Sequence, residues 1–497
     1  MSTTDFFYSN RIRKMVVNSI NFWFFFIIVL VCYYGLCRKS ARWQNSTLLI
    51  ASYIFYGMVN WKMCLLLFAA TVFFYGIGIA INRCNHDNPK RASQLTSLGV
   101  CIGVGMLVYF KYLNFFLEEF SRLLSTLGLN TNWISFKIIM PLGISFFTFK
   151  LIGYVIEVHR ENMKPSKDPI AFGTFIAFFP TLMSGPIDNP SRFLPQLDIR
   201  RSVDYEVLVE AGKRVLWGMF LKMCIADQLS GYTSAVLENY QHHNATSIII
   251  ASFLFSFQLY SDFCGYSHMA IGVSQIMGIK VSENFNRPFF SQNMAEWWRR
   301  WHMSLTTWIT NYIYMPLSIA FRDWGMLGIC AAAIINLIII GIWHGDNWTY
   351  ALFGLYHGIV LAIVTLLEKP RKKFEKKHNL KKNFYYVYTR MLLTFIIWTF
   401  GQVLFQAASV PDFMRIVCRI GSGWGAPFIT SGIAGILPVA FSIICMLIHE
   451  FWDENKKEMH VLHSKNKYVS ILSSTILICY IIMFGSLNGG SFIYFQF

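Results

Sequence analysis

The sequence predicts an all-α integral membrane protein. Hydrophobic residues make up 55% of its 497 residues and charged residues only 14%, whereas a soluble domain carries about 25% charged residues. The apolar residues lie in long runs, some of them shortened or broken by proline or glycine. Since a spanning helix needs roughly 20 apolar residues, we expect about 10–13 transmembrane or re-entrant helices.

These runs set the order of the predicted helices along the chain. They lie near residues 20–37, 46–59, 62–81, 97–110, 138–157, 169–184, 247–261, 327–343, 347–367, 388–407, 432–449 and 468–485. Four prolines exclude one continuous helix from the sixth run into the loop after it; they are Pro180, Pro186, Pro190 and Pro195.

The formal net charge is +17, from 43 Lys and Arg against 26 Asp and Glu. The basic residues lie in short loops between apolar runs, which is typical of a protein whose partners are membrane lipids and not nucleic acid. Part of the charge could instead bind an anionic donor such as a phosphopantetheine thioester. The 11 cysteines show no C-x-x-C spacing, so we expect reduced thiols and neither disulfides nor a metal site.

The domain organisation follows from the same pattern. Residues 1–19 form a polar N-terminal segment, residues 20–485 a single membrane domain, and residues 486–497 a C-terminal tail. Basic residues flank the first run on both sides, so the N-terminal orientation stays open. Residues 369–382 hold eight Lys and Arg against one Glu, which predicts a cytoplasmic loop. Three further spans then place the tail outside.

The segment after residue 292 carries a helix-start signal. Asn293 and Glu296 have the spacing of a capping pair. A helix that begins there places a stripe of large apolar residues on one side: Trp297, Trp301, Leu305 and Trp308. For these tryptophans and the neighbouring arginines, an interfacial amphipathic helix is the alternative.

Two histidines are candidates for catalysis. His302 lies in this tryptophan-rich segment, and His344 ends a long apolar run, with Asp346 as the nearby charge. Ionisable groups inside membrane segments are rare and tend to mark proton or substrate pathways. Gly341 and Gly345 would let another backbone approach His344 closely. A neutral buried imidazole there could accept a proton from a hydroxyl, although a hydrogen-bonded core histidine is the alternative.

The motifs around these residues resemble the membrane-bound O-acyltransferase family. Within it the chain is similar to the bacterial branch of alginate O-acetylation protein I, peptidoglycan O-acetyltransferase A and the D-alanyl transfer protein DltB. The matching stretches are PLGISFFTFKLIGYVIEVHR (141–160), FFPTLMSGPIDNPSRF (178–193), YSDFCGYSHMAIG (260–272), NFNRPF (284–289), WWRRWHMSL (297–305) and GIWHGDNWTYALFGLYHG (341–358).

The resemblance implies a fold built around a central acyl-transfer tunnel. It places the family's invariant histidine on His344, as general base, and a second histidine on His302, which would assist near the donor. The family often has Asp at His268, so we assign His268 no role. The tail SFIYFQF is similar to a C-terminal aromatic motif of this branch. That similarity implies that Tyr494 receives the acyl group as a covalent relay, whereas packing on the outer rim of the bundle is the alternative.

The expected function is transfer of an acyl group, most simply acetyl, to a cell-surface polysaccharide or peptidoglycan. The donor would be a cytoplasmic thioester, acetyl-CoA or an acyl carrier protein, with no permanently bound cofactor and no metal. A separate extracytoplasmic transferase would deliver the acyl group, and the protein would lie in the bacterial plasma (inner) membrane with many spans. The SGPID of residues 184–188 favours a first alternative, D-alanyl transfer to teichoic acid. A lipid-linked glycan transporter is an alternative of another class.

Overall fold

The computed structural model describes residues 17, 19–37, 39–129, 138–429, 433–455, 462, 464, 466–486 and 492–493. Nearly all of the predicted N-terminal segment 1–19 and most of the tail 486–497, including Tyr494, lie outside these residues. The described chain is helical and contains no strand. Eight of its helices are long and apolar enough to cross a membrane, so the predicted all-α membrane protein is confirmed.

The chain divides into two compact units. The first comprises Met1–Gly212 and Ala270–Ser282, and the second comprises Lys213–Met269 and Glu283–Phe497. The division passes through two helices, Tyr205–Phe220 and Ala245–Ile276. The single membrane domain over residues 20–485 stays a prediction.

The first unit begins with long helices and continues with short ones. Its helices are α1 (Ile20–Leu30), α2 (Ala41–Asp87), α3 (Pro89–Leu107), α4 (Leu113–Thr126), α5 (Ile144–His159), α6 (Pro169–Ala177), α7 (Phe179–Leu182), α8 (Pro190–Leu197) and the first part of α9 (Tyr205–Phe220). The apolar runs 46–59 and 62–81 belong to α2, which is kinked where Asn60 leaves helical geometry. The region with the four prolines is not one continuous helix, as predicted, and residues 169–197 form the short helices α6 to α8.

The second unit carries both candidate histidines. Its helices are the rest of α9, then α10 (Asp227–Leu237), α11 (Ala245–Ile276) as far as Met269, α12 (Met294–Arg300), α13 (Met303–Ile309), α14 (Met315–Ala320), α15 (Gly325–His344), α16 (Trp348–Leu366), α17 (Glu368–Lys377), α18 (Phe384–Gln406), α19 (Val410–Ile420), α20 (Ile433–Asn455) and α21 (Lys467–Phe484). A π-helical turn, Leu221–Ala226, joins α9 to α10.

Helices α15 and α16 form a close-packed hairpin. A side chain at Gly341 would collide with the carbonyl oxygen of Tyr350, and one at Gly354 with the carbonyl oxygen of Leu337. At Gly345 the neighbour is the ring of Tyr350. Small residues let membrane helices approach at the backbone, so the predicted close approach at Gly341 is confirmed, and at Gly345 it is made by a side chain.

The outer helices keep apolar side chains on the surface. Helix α21 exposes Ile471, Leu472, Ile476 and Ile482, and only 11% of the residues in its apolar stretch are buried. In water such a continuous apolar surface would be an aggregation site. In a bilayer it faces acyl chains, which are as apolar as leucine, so no other protein element is needed to cover it.

Candidate active site

His302 lies in a break between two helices. Helix α12 ends at Arg300, Trp301 is extended, and His302 adopts the left-handed region with φ 43° and ψ 53° before α13 begins at Met303. The predicted continuous helix from Asn293 through Trp308 is therefore wrong. A non-glycine residue with positive φ is uncommon and costs roughly 1–2 kcal/mol, so other contacts must hold this conformation.

Asn284 provides those contacts. Its carbonyl oxygen accepts from the N–H of Met303 at 2.8 Å, and its Oδ1 accepts from the hydroxyl of Ser304 at 2.6 Å. Its Nδ2 donates to Ser267 Oγ at 3.1 Å. Asn284 is fully buried. One amide side chain and one carbonyl thus replace the hydrogen bonds that a continuous helix would have made, and they fix the backbone next to His302.

The start of α12 confirms one half of the predicted capping pair of Asn293 and Glu296 and contradicts the other half. Asn293 Oδ1 accepts from the N–H of Glu296 at 3.0 Å, which confirms the predicted cap. Glu296 reaches back to the N–H of Gln292 at 2.9 Å, one residue earlier than a capping box requires. Its other oxygen pairs with Arg300 at 2.6 Å.

The tryptophans of this segment are core residues. Trp297 and Trp301 are buried, and both contact Trp398 of α18, with ring centroids 4.7 and 4.6 Å apart. The interfacial alternative is therefore wrong for these two rings. Aromatic pairs of this kind contribute about 0.5–1.5 kcal/mol each beyond the area they bury, so the cluster holds α12 firmly against α18.

The His302 ring is 1% exposed and lies between aromatic neighbours. Its centroid is 4.6 Å from that of Phe263 and 5.8 Å from that of Trp343, both nearly edge-on. His302 lies outside the eight candidate spans. Burial lowers the pKa of His302 to about 3, because desolvation disfavours the charged imidazolium. The ring is therefore neutral at physiological pH and suited to orienting a substrate group through hydrogen bonds.

His344 is the last residue of α15 and is 6% exposed. Its ring lies 5.2 Å from Phe405, 6.1 Å from Phe353 and 5.0 Å from Trp343, measured between centroids. Asp346, the nearby charge noted in the sequence, is exposed. The chain turns after His344, and Asn347 caps α16 by accepting from the N–H of Thr349 at 3.1 Å. The imidazole thus sits at a helix end inside an aromatic enclosure.

Both predicted histidines contact the indole of Trp343. They are 42 residues apart in sequence, and one comes from a helix break and the other from a helix end. Trp343 is their common neighbour, so both rings belong to one buried aromatic cluster. Imidazoles that are buried together in an apolar surrounding can bind and deprotonate a hydroxyl while water is excluded.

Sequence reasoning missed a buried charged group beside this cluster. Lys222 Nζ lies 2.7 Å from Asp227 Oδ1 and 2.6 Å from Asp262 Oδ1, and all three side chains are at most 3% exposed. The signal was present, because Lys222 follows the apolar stretch WGMFL and Asp262 lies in the YSDFCGYS motif. An ionisable residue in such a stretch is a functional candidate by default.

The tail enters the same region. Tyr494 itself lies outside the described residues, but Phe492 and Ile493 are described and buried. The Phe492 ring stacks on Tyr266, with centroids 4.8 Å apart and an interplanar angle of 23°. Packing on the outer rim is therefore wrong for these two residues.

Comparison with known proteins shows which family and which relatives the chain resembles. Residues 166–410, which include both histidines, match the model of the membrane-bound O-acyltransferase family. A probable alginate O-acetylase of Pseudomonas aeruginosa is 33% identical over 80% of this chain and 73% of its own length. A peptidoglycan O-acetyltransferase of Helicobacter pylori is 28% identical over 76% of this chain and 74% of its own. A teichoic acid D-alanyltransferase of Bacillus subtilis is 32% identical over 55% of this chain and 69% of its own.

Proposed function

Because this chain belongs to the membrane-bound O-acyltransferase family, we propose that it carries an acetyl group from a cytoplasmic thioester across the bacterial plasma membrane. The acetyl group would then O-acylate a cell-surface polysaccharide or peptidoglycan. The chain is a multi-pass membrane acyltransferase, since its relatives are named as acyl-transferring enzymes and it has eight candidate spans. That enzyme class replaces the transporter alternative.

The observation that carries the proposal is the aromatic cluster around Trp343, which both His302 and His344 join. The rings of both contact Trp343, and both are buried. Acyl transfer from a thioester to a hydroxyl needs a base near the hydroxyl and a dry site in which water does not compete as the acceptor. The burial of both imidazoles among aromatic rings supports the proposal, because it places a candidate base out of contact with solvent.

In the proposed reaction His344 is the general base. It takes the proton of the attacking hydroxyl as the oxygen adds to the thioester carbonyl, and the C–S bond then breaks to release a thiolate. The thiolate takes up a proton and leaves as the free thiol. General-base assistance contributes about 10²–10⁴-fold to such a step. His302, neutral and buried, would orient the donor.

The attacking hydroxyl in this proposal is the phenol of Tyr494. A phenol has a pKa near 10, so it needs a base to react at neutral pH. A separate extracytoplasmic transferase would then take the acyl group from the tyrosine ester, which releases the Tyr494 phenol, and deliver that group to the polymer. The burial of Phe492 and Ile493, the residues before Tyr494, supports this assignment.

The proposal is tested by deleting the gene and complementing it with variants, then measuring acetate released from the cell surface by mild base. His344→Ala and Tyr494→Phe are expected to abolish surface acetylation while the protein accumulates in membranes. The matched controls are His378→Ala and Tyr468→Phe, because both residues are exposed. Wild-type acetylation in His344→Ala or Tyr494→Phe would reject the role of that residue.

D-alanyl transfer to teichoic acid remains a second candidate. It is favoured by the SGPID stretch and by the Bacillus relative, of which the chain covers 69%. The same mild-base release separates the two, because it would yield D-alanine instead of acetate. An acyl carrier protein would then be the donor partner.

A further inference from the structure

The C-terminal end of the described chain is fixed by its backbone. The N–H of Ile493 donates to Oδ2 of Asp262 at 2.8 Å. Asp262 lies in α11 and is 1% exposed. A hydrogen bond from a backbone donor to a buried carboxylate is stronger than a neutral one. Because the carboxylate contacts the main chain, it recognises the path of this segment and not a particular side chain.

Asp262 is itself held in place by Lys222. The ammonium lies 2.6 Å from Oδ1 of Asp262 and 2.7 Å from Oδ1 of Asp227. A buried carboxylate without a cation would be strongly destabilised, so the Lys222 ammonium stabilises the Asp262 side chain and fixes the direction of its other oxygen. Lys222 lies in the π-helical turn Leu221–Ala226, and such turns occur frequently at functional sites.

The π-helical turn and the start of α10 also hold the chain where it leaves α21. The N–H of Ser486 donates to the carbonyl oxygen of Met223 at 3.0 Å. Nε2 of Gln228 donates to the carbonyl oxygen of Phe484 at 2.7 Å. The chain is thus held at Phe484 and Ser486 by Gln228 and Met223, and again at Ile493 by Asp262, the ion-pair partner of Lys222.

This attachment lies one aromatic ring away from His302. Phe263 follows Asp262 in α11, and its ring centroid is 5.7 Å from that of Phe492 and 4.6 Å from that of His302. The tail therefore approaches the aromatic cluster around Trp343 through Phe263. Holding a nucleophile beside its reaction partner removes much of the entropic cost of the encounter.

We propose that Asp262, fixed by Lys222, is the anchor that positions the C-terminal segment for acylation. The inference rests on the proposed function, since it gives the tail a reaction to be positioned for. Asp262 and Lys222 act through the tail, so they are positioning residues and not catalytic ones. The ligand that they recognise is an extended peptide backbone, supplied here by the chain itself.

The anchor is tested first without any reaction. Hydrogen exchange of the purified full-length protein reports whether the Ile493 amide is protected. In Asp262→Ala this protection is expected to be lost, while exchange in the α15–α16 hairpin is unchanged. Asp262→Asn, which keeps an oxygen acceptor but no charge, is expected to retain part of the protection. Unchanged protection in Asp262→Ala would overturn the anchor.

The second readout is the rate at which a radiolabelled acetyl thioester labels the tail in a single turnover. Asp262→Ala is expected to slow labelling about 10- to 100-fold, the range set by one hydrogen bond to a charged group. Donor binding should stay within about twofold of wild type, because the anchor contacts the tail and not the donor. A general structural defect would lower both together, and this result would overturn the positioning role.

A third comparison leaves the helical bundle untouched. Ile493→Pro removes the N–H donor, whereas Ile493→Val keeps it. Proline is expected to slow labelling as strongly as Asp262→Ala, and valine far less. If Asp262→Ala does not accumulate in membranes, this pair decides the question, and equal rates in the two variants would overturn the inference.

The two proposals fail in different ways. If wild-type protein never labels its tail, the relay of the proposed function is wrong, while hydrogen exchange still decides whether Asp262 anchors the segment. If the tail is labelled at the wild-type rate in Asp262→Ala and Ile493→Pro, the relay stands and the anchor is wrong.

Discussion

His302 and His344 both contact Trp343, but different structural features hold them in place. His344 ends a helix of 20 residues, packed at its glycines against α16. His302 lies between two helices of seven residues each, in a left-handed conformation that depends on Asn284. The first arrangement is stiff because it follows from regular helix packing. The second is stiff only while a few buried hydrogen bonds persist, so it should be the more easily disturbed of the two.

The largest expected effect is on activity and separates the two histidines. His344→Ala should lower acetyl transfer about 10²–10⁴-fold, the usual range for loss of a general base, and His302→Ala should lower it less. The rates would be measured with labelled thioester in membranes of matched protein content.

The double variant sharpens this comparison. If both histidines serve one reaction, the double variant should lose little more than His344→Ala alone, because residues that act together are not additive. Losses that multiply would assign the two rings to separate steps.

The next effect should be confined to the His302 segment. Asn284→Ala removes the acceptor of the Ser304 hydroxyl and the donor to Ser267. We expect a loss of about 1–3 kcal/mol for each buried group left unsatisfied, together with reduced activity. Denaturant-induced unfolding in detergent would measure the free energy. Ser304→Ala, which removes only one of these hydrogen bonds, is the control and should cost less.

The hairpin is tested by adding a methyl group at Gly341. Gly341→Ala would drive the new carbon into the carbonyl oxygen of Tyr350, so the helices must separate. The expected cost is about 1–3 kcal/mol, as for overpacking in a core. Gly105→Ala is the control, because no atom lies within 4 Å of its added carbon, and it should be neutral or stabilising by about 0.5–1 kcal/mol. Equal effects in the two variants would contradict the close packing of α15 and α16.

The smallest expected effect is a pH dependence of stability at His302. Its pKa is lowered by burial to about 3, whereas an unfolded histidine has a pKa near 6.5. The unfolded chain therefore binds the proton first, so this contribution is complete above pH 6.5 and is lost as the pH falls toward 3. Between pH 6.5 and 5.5, wild type should lose about 1 kcal/mol more than His302→Gln. Identical slopes in unfolding measurements would show that His302 takes up protons in the folded state.

The sequence predicted the hairpin better than the helix break. Helix bounds, the glycine contacts and the Asn293 cap follow from local patterns, and the structure confirms them. The break at Trp301 and His302 does not follow from local patterns, because it depends on Asn284, which precedes it by a loop and a short helix. Long-range hydrogen bonds override helix propensity, which is a weak preference for any single residue.

The pairing of the buried charges could not be predicted, for a similar reason. Lys222 and Asp262 are 40 residues apart, and a spacing of that length says nothing about contact. A charge inside an apolar run marked each as unusual, but only the fold shows that they pair and that Asp262 also binds Ile493. Which distant side chains pair depends on how the helices pack, so a single sequence does not reveal such pairs.

The hydrogen bond from the Ile493 N–H to the Asp262 carboxylate has a consequence for how the enzyme is assembled. Because this hydrogen bond involves only the main chain, a detached peptide that kept the Phe492 ring on Tyr266 would meet the same carboxylate. The covalent connection from α21 then contributes only effective concentration, which for short flexible tethers lies in the millimolar range. Cutting that connection would make the encounter between the tail peptide and the protein second-order instead of first-order. The labelling rate would then saturate with increasing concentration of the free peptide.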